Sequence, residues 1–194
     1  MNRVISAFML SLSLSGCVSF GAKPPASLLN LSSIERVPAN DARAAQAGEA
    51  ISISVPIVPQ ALATNRVLVV NGATALAYVK DAVWVEPPAR LFQRLVSETV
   101  AAKTGRVVLD ARQIALDQGT QVTGTLSAFG IDPDAGKAVI VYDAAISRDN
   151  GKSVRTRRFE ARIPVGKIEP ENVGRALNSA ANKIAAEVAD WIAG

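Results

Sequence analysis

The chain has 194 residues, of which 49% are hydrophobic and only 5% aromatic, which predicts one globular domain with a mainly aliphatic core. It contains no histidine and a single cysteine, which excludes Ser-His-Asp and Cys-His catalysis, histidine-based zinc sites and any intrachain disulfide. The formal net charge of +4 is too small an excess to predict a nucleic-acid partner. We therefore expect no catalytic centre, no cofactor and no metal site.

The first segment has the composition of a secretory signal peptide. Arg3 supplies the positive charge, Val4–Leu14 is the apolar region, and small residues precede Cys17. The apolar region is too short, and too diluted by serine, to span a bilayer. We predict that residues 1–16 direct export and are then removed.

The run Leu14-Ser15-Gly16-Cys17 resembles the lipobox of bacterial lipoproteins, in which the cysteine is acylated and becomes the first mature residue. Several acyl chains on Cys17 would anchor the protein stably in a membrane. Val18 stands where an aspartate would favour retention at the inner membrane, so we predict an outer-membrane anchor facing the periplasm. Residues 17–30 contain Gly21, Pro24, Pro25 and two serines and are predicted to be a tether for a domain over residues 31–194.

The next segments predict strands. Leu28, Leu29 and Leu31 indicate a first short strand, and Ile51–Ile57 alternates as a half-buried strand with its isoleucines and Val55 on the buried face. Two further runs, over Arg66–Val70 and Thr74–Val79, are separated by Asn71-Gly72, which is a hairpin signal.

A helix is predicted after the run Trp84-Val85-Glu86-Pro87-Pro88. Apolar side chains then recur every three or four residues between Leu91 and Val100, and Gly105 is placed to end the helix. A short strand is predicted over Arg106–Leu109.

The second half predicts three strands and a closing helix. The strands are Thr120–Phe129, Ala138–Ser147 and Ser153–Ile163. The last two form a hairpin with its tip at Asp149–Lys152, and adjacent charges at Arg157-Arg158 predict a bulge. The closing helix begins near Pro170. We therefore predict an α/β fold with a single domain, in which a mixed, mostly antiparallel β-sheet packs against two amphipathic helices.

The last predicted strand is strongly basic. Between Lys152 and Arg162 the chain carries five basic residues and one glutamate; the arginines are Arg155, Arg157, Arg158 and Arg162. An exposed edge strand protected by charge explains the run. Alternatively, these arginines contact phospholipid headgroups or an acidic surface of a partner.

These features together resemble the ABC-type transport auxiliary lipoproteins, the PqiC-like components of intermembrane lipid transport systems that use mammalian-cell-entry (MCE) domain proteins. The resemblance includes the lipobox at Cys17, the motif formed by Trp84, Glu86 and Pro87 before an amphipathic helix, the hairpin sheet and the alanine-rich last helix. Two positions depart from the pattern: no tyrosine-containing strand follows the tether, and Pro88 stands where the family often has leucine.

The resemblance implies a non-enzymatic envelope protein whose partners are the ABC transporter and an MCE-domain protein. Trp84 would then serve either as a packing residue at the start of the helix or as a contact for a ligand. The alternative function is a periplasmic lipid carrier that holds an acyl chain in an apolar cavity between the sheet and the helices. Whether the protein forms a homo-oligomer is left open by the sequence.

Overall fold

The structure is a computed structural model that describes residues 27–71, 74–110, 113, 119–148 and 151–194. Within these residues the strands are β1 (Ile51–Ile53), β2 (Arg66–Asn71), β3 (Ala75–Val83), β4 (Val108–Leu109), β5 (Thr120–Asp132), β6 (Lys137–Arg148) and β7 (Ser153–Pro164). The helices are α1 (Pro88–Thr104) and α2 (Pro170–Ala193), and a short 3-10 turn covers Gln60–Leu62.

The long strand β5 organises the sheet. On one side it pairs antiparallel with β6 along its length, and β6 pairs antiparallel with β7. On its other side β1 runs parallel beside Thr120–Val122, and β2 runs parallel beside Gly130–Ile131. Strand β4 extends the sheet beyond β1, and β3 extends it beyond β2. The single-domain α/β fold with a mixed, mostly antiparallel sheet is therefore confirmed.

Both helices pack on the same face of the sheet and against each other. Helix α1 buries the predicted apolar residues between Leu91 and Val100, and it ends at Gly105, whose φ of 67° is the left-handed conformation that glycine adopts readily. Helix α2 begins at Pro170 as predicted and buries a wide apolar stripe rich in alanine. The small alanine side chains allow close approach to the sheet and to α1.

The core contains a line of aromatic rings that the low aromatic content did not predict. Phe129, Tyr142 and Phe159 come from three neighbouring strands and lie on the helix-covered face. Phe92 of α1 contacts the first two of these rings, and Trp191 of α2 contacts the third. Most aromatic residues of the described part of the chain are thus concentrated where the sheet meets both helices.

Two of the predicted early strands are wrong in part. The Leu28–Leu31 segment forms only an isolated bridge between Leu29 and Trp84. Strand β1 stops at Ile53, and Ser52 is buried while Val55 and Ile57 are exposed. The cause is one extra residue: Ile53 lies beside Val122 but Ile57 lies beside Thr125, so the side chains change face between them.

The predicted bulge at Arg157-Arg158 is also wrong. The pairing of β6 with β7 runs without a register shift from Lys137 opposite Pro164 to Arg148 opposite Ser153. Both faces of β7 are exposed over its first half, so adjacent charged residues are tolerated there without a bulge. The irregularity in this part of the sheet lies in β5, between Leu126 and Ala128.

The two predicted hairpins are formed, since β2 pairs antiparallel with β3 and β6 with β7. Gly72, Asp149 and Asn150, which were predicted to form their tips, lie outside the described residues.

Candidate functional site

A groove of about 770 Å³ opens on the face of the sheet opposite the two helices. Its lining is mostly aliphatic and includes Ala61, Leu68, Val70, Leu76, Val139 and Val141. Val139 and Val141 alternate along β6 with residues that are buried beneath the helices, so the same strand serves the core and the groove. Val70 and Leu76 remain 41% and 60% exposed. Because accessible apolar surface of this kind commonly marks a binding site, the groove is the candidate functional site.

The groove forms where two segments meet the same side of β5. Ile57 lies beside Thr125, whereas β2 joins β5 at Gly130, and the 3-10 turn over Gln60–Leu62 lies between them in the chain. The β5 bulge falls in the same interval, and bulges bend and twist a strand. A Cβ atom at Gly130 would overlap the carbonyl oxygen of Leu68, so the glycine permits β2 to pair there.

Charged side chains gather at one end of the groove. Asp132 is the last residue of β5, Asp134 lies in the turn that follows, and Arg162 comes from β7. The Oδ1 atom of Asp132 accepts a hydrogen bond of 3.0 Å from the backbone N–H of Ala135, which stabilises the turn. Arg162 contacts Glu160 at 2.5 Å and Asp132 at 3.7 Å. The groove is therefore amphipathic along its length, with aliphatic walls and a polar end.

The structure divides the four predicted arginines between the two faces of β7. Arg155 and Arg157 lie opposite buried residues of β6, on the side of the helices. Arg158 and Arg162 lie opposite Asp143 and Val139, on the side of the groove. All four are exposed, and β7 pairs only with β6 among the described strands. These arginines therefore occupy a sheet edge, as expected for a charged edge strand, but do not form one surface.

Arg155 and Arg157 are held by aromatic rings. The guanidinium of Arg155 lies 5.6 Å from the centre of the Trp191 ring, and that of Arg157 lies 4.8 Å from the centre of the Phe159 ring. Among the described residues neither forms an ion pair with a carboxylate. Their charges are therefore oriented but not neutralised.

Arg158 forms an ion pair on the groove-side face of the sheet. Its Nε and one terminal nitrogen donate to the carboxylate of Asp143 at 2.6 and 3.1 Å, and the Ser127 hydroxyl donates to the same carboxylate at 2.6 Å. The Arg158 hydrogen bond, aided by that of Ser127, holds the pKa of Asp143 below its ordinary value. The same hydrogen bond raises the pKa of Arg158. Arg158 is thus less available to a partner than Arg155 or Arg157.

The Trp84, Glu86 and Pro87 motif lies at the start of α1. Trp84 is 1% exposed and packs edge-on against Phe129 at 5.7 Å between ring centres. Glu86 forms an ion pair of 2.5 Å with Arg94 in the second turn of the helix, and Pro87 occupies the N-cap position. A contact of this motif with a partner stays a prediction.

An arrangement that sequence reasoning missed holds the segment that follows the tether. The side-chain oxygen of Asn182 accepts from the Ile34 N–H at 2.8 Å, and its amide nitrogen donates to the Ser32 carbonyl at 2.9 Å. Asn178, one turn earlier on α2, accepts from the Ser32 N–H at 2.9 Å. The sequence carries a signal for this arrangement, since Asn178 and Asn182 lie four residues apart beside the apolar stripe of the helix. Buried amides in such positions need hydrogen-bond partners.

Residues 29–34 are called the attached segment here; its first residue, Leu29, lies near the end of the predicted tether and already contacts the domain. It packs against Gly174 of α2, where a Cβ would lie 2.8 Å from a Leu29 methyl carbon. Its backbone also bridges to Trp84. The predicted tether therefore joins the domain near the N-terminal end of α2.

Cys17, the predicted lipidation site, and the predicted signal peptide over residues 1–16 lie outside the described residues. Neither α1 nor α2 has the length and apolar character that a membrane-spanning helix requires. Within the described ranges, no three acidic or cysteine side chains are grouped to bind a metal ion.

Comparison with known protein families finds a match over residues 30–189 to the family described as ABC-type transport auxiliary lipoprotein component. Comparison with curated proteins finds no match.

Solved structures with a similar fold include the following two. One is a Xanthomonas campestris protein of the family DUF330, with a TM-score of 0.67 and 15% identity, covering 86% of this chain and 94% of the other. The second is described as an uncharacterized protein, with a TM-score of 0.64 and 15% identity, covering 86% of this chain and 99% of the other. At this identity the similarity establishes the fold alone.

Proposed function

Because the chain belongs to the family of ABC-type transport auxiliary lipoprotein components, we propose that it is a periplasmic lipoprotein of an MCE-type intermembrane lipid transport system. In this proposal residues 1–16 are removed and Cys17 carries the lipid that anchors the protein in the outer membrane. Residues 17–30 form the tether, and the domain over residues 31–194 contacts the transport partner. The protein acts by binding and positioning other components rather than by catalysis.

The observation that carries the proposal is the separation of two surfaces along α2. The segment that follows the tether is fixed near Gly174, whereas Arg155 lies over Trp191 in the last turn of the helix. At 1.5 Å per residue these two positions on α2 are about 26 Å apart. An acylated N-terminus would therefore place the unpaired charges of Arg155 and Arg157 at the end of the domain away from its membrane, where they would meet an acidic surface of the MCE-domain protein or the transporter.

The anchor is tested with the full-length protein in cells. Palmitate labelling and membrane fractionation are compared for the natural sequence, Cys17→Ala and, as a matched control in the same segment, Ser15→Ala. We expect label and outer-membrane recovery for the first and third proteins and neither for Cys17→Ala. An unlabelled natural protein, or one recovered in the soluble periplasmic fraction, would refute the anchor.

The docking surface is tested by reversing its charge. Arg155→Glu with Arg157→Glu should reduce recovery of the MCE-domain protein in a pull-down by at least tenfold and should weaken the permeability barrier of the envelope. Lys167→Glu with Lys183→Glu changes the net charge equally at two exposed positions elsewhere and should leave both measurements unchanged. Equal recovery with both double variants would remove these arginines from the proposal.

A second candidate function, a periplasmic lipid carrier, is favoured by the apolar groove. The space between the sheet and the helices is occupied by core side chains such as Ala181, Ile184 and Val188, all with 0% exposure. An acyl chain would therefore bind on the opposite face of the sheet. Native mass spectrometry of the purified protein separates the candidates, since a carrier retains phospholipid through purification and an adaptor does not.

A further inference from the structure

We propose that the groove on the helix-free face binds one acyl chain of a membrane phospholipid, with the headgroup at Asp132, Asp134 and Arg162. The inference deepens the second candidate function, the lipid carrier, and it rests on the proposed anchor because it assumes a domain that is tethered close to a lipid surface. It assigns a ligand class and an orientation to a specific site.

The size and lining of the groove fit a hydrocarbon chain. A volume of about 770 Å³ lies within the range of roughly 300–1,000 Å³ that is typical of small-molecule sites. The walls consist of aliphatic side chains from β2, β3 and β6, and an alkyl chain would cover the parts of Val70 and Leu76 that are now exposed. Removing the CH₂ groups of the chain and the exposed parts of these two side chains from water stabilises the bound state through the hydrophobic effect.

The floor of the groove is less suited to an extended peptide. Strand β5 is hydrogen-bonded on one side to β6, and on its other side Leu126 donates to the Ile57 carbonyl and Gly130 pairs with Leu68 of β2. Only the three residues between these two pairings remain for a peptide that would join the sheet at this edge, which is a short stretch for strand addition. The floor instead offers side chains, which is the surface that an acyl chain requires.

The charges at the end of the groove match a phospholipid headgroup. The carboxylates of Asp132 and Asp134 can bind an ammonium group such as that of phosphatidylethanolamine. The Arg162 guanidinium is ion-paired with Glu160 at 2.5 Å, so a lipid phosphate would bind it in exchange for that carboxylate. Because these three charges lie beside the turn between β5 and β6, a lipid would enter with its tail along the valines of β6 and its headgroup at the turn. This arrangement keeps the charged groups at the rim and the hydrocarbon against the aliphatic wall.

The position of the groove in the domain also fits a ligand from the membrane. Leu29, at the start of the attached segment, is bridged to Trp84, and the Trp84 ring packs on Phe129, whose neighbours Ala128 and Gly130 line the groove. The base of the tether therefore approaches this segment of β5 from the helix-covered face, while the groove opens on the other face of the same segment. The stretch from Cys17 to Ser27 can extend to about 35 Å at most, which keeps this part of the domain near the bilayer.

The experiment is photo-crosslinking of the full-length protein in cells. Benzoylphenylalanine is introduced at Leu76, on the rim of the groove, and in a matched control at Ile57, which is 73% exposed on the same face but does not line the groove. After irradiation, the tryptic peptides are analysed by mass spectrometry for phosphorus-containing lipid adducts. We expect an adduct at position 76 that is at least tenfold more abundant than at position 57.

Three outcomes would overturn the inference: no phospholipid adduct at position 76, equal adducts at both positions, or an adduct at position 76 that consists of a protein or of the acyl chains on Cys17. A second pair of proteins guards against a poor crosslinking geometry. In the purified Val70→Glu/Leu76→Glu variant, the amount of co-purifying phospholipid should be at least tenfold lower than in the natural protein. The Tm of the variant should be unchanged because both side chains are exposed. If the natural protein itself carries no phospholipid, the inference fails.

This result is separable from that of the proposed function. Loss of palmitate label with retained lipid in the groove refutes the anchor only. A labelled, outer-membrane protein with an empty groove refutes the acyl-chain site only.

Discussion

The ring of Tyr142, in the middle of the sheet, packs edge-on against the ring of Phe92 on α1, with 5.2 Å between the ring centres. The Tyr142 hydroxyl lies 3.4 Å from the Thr123 carbonyl, and the side chain is 1% exposed. Burial raises the pKa of Tyr142 to about 12, because the phenolate would be removed from water. The Tyr142 ring thus links α1 to the sheet, and the burial of its hydroxyl makes the stability of the fold sensitive to alkaline pH.

We predict that stability falls between about pH 10 and about pH 12 because of Tyr142. In the unfolded chain the phenol ionises near pH 10, whereas in the folded protein it stays neutral up to about 12, so the stabilisation is complete below pH 10 and lost as the pH rises through 12. The difference corresponds to about 3 kcal/mol. Urea unfolding at several pH values should show a smaller alkaline loss for Tyr142→Phe, which keeps the ring.

Tyr78→Phe is the control for this prediction. It removes the other tyrosine of the chain and leaves Tyr142 in place, so it should retain most of the alkaline loss. Identical pH profiles for Tyr142→Phe and the natural protein would contradict the assignment.

Local patterns predicted the helices and hairpins because their signals lie within a few residues of each other. The apolar period between Leu91 and Val100 and the glycine at position 105 define α1 almost to its ends. The groove has no such signal, since it depends on Ile57 and Leu68 meeting the same side of β5. That pairing is a long-range property, and the extra residue between Ile53 and Ile57 reverses the local alternation.

The attached segment illustrates the same limit. Three leucines close together favoured a strand, but Leu29 makes only a bridge and the following residues are bound by side-chain amides. The partners Asn178 and Asn182 are almost 150 residues away in the sequence. Nothing local distinguishes an apolar segment that pairs with a strand from one that is bound to a helix.

We predict that Asn182→Ala loosens the segment after the tether. The substitution removes three hydrogen bonds from a side chain that is 8% exposed and leaves the Ile34 N–H without its acceptor. The expected cost is about 2 kcal/mol, together with faster hydrogen exchange at Ile34. Lys183→Ala, at the next, exposed position of α2, should change stability by less than about 0.5 kcal/mol. Unchanged exchange at Ile34 in Asn182→Ala would contradict the role of this amide.

We predict that Gly130→Ala disrupts the pairing of β2 with β5. The added Cβ would overlap the backbone carbonyl of Leu68, which cannot rotate away as a side chain could. The expected destabilisation is about 3 kcal/mol, measured by urea unfolding, with loss of lipid binding if the groove holds lipid. Gly166→Ala is the matched control, because its Cβ would meet no atom within 4 Å. Equal stability of the two variants would show that β2 is not held against Gly130 as described.

The last prediction concerns the Asp143 carboxyl, which Arg158 and Ser127 hold as a carboxylate. Because its pKa is below the ordinary value in the folded protein, its contribution to stability is present above the unfolded pKa and is lost as the pH falls through the folded one. NMR titration of the carboxyl carbon should show the pKa of Asp143 rising toward the ordinary value in Arg158→Gln and rising less in Ser127→Ala, since the arginine has the larger effect. Arg175→Gln alters a distant exposed ion pair and should leave this titration unchanged. If the titration midpoint of Asp143 does not change in Arg158→Gln, the arginine does not hold this carboxylate in solution. Arg158 would then be available for contact with a partner, as Arg155 and Arg157 are.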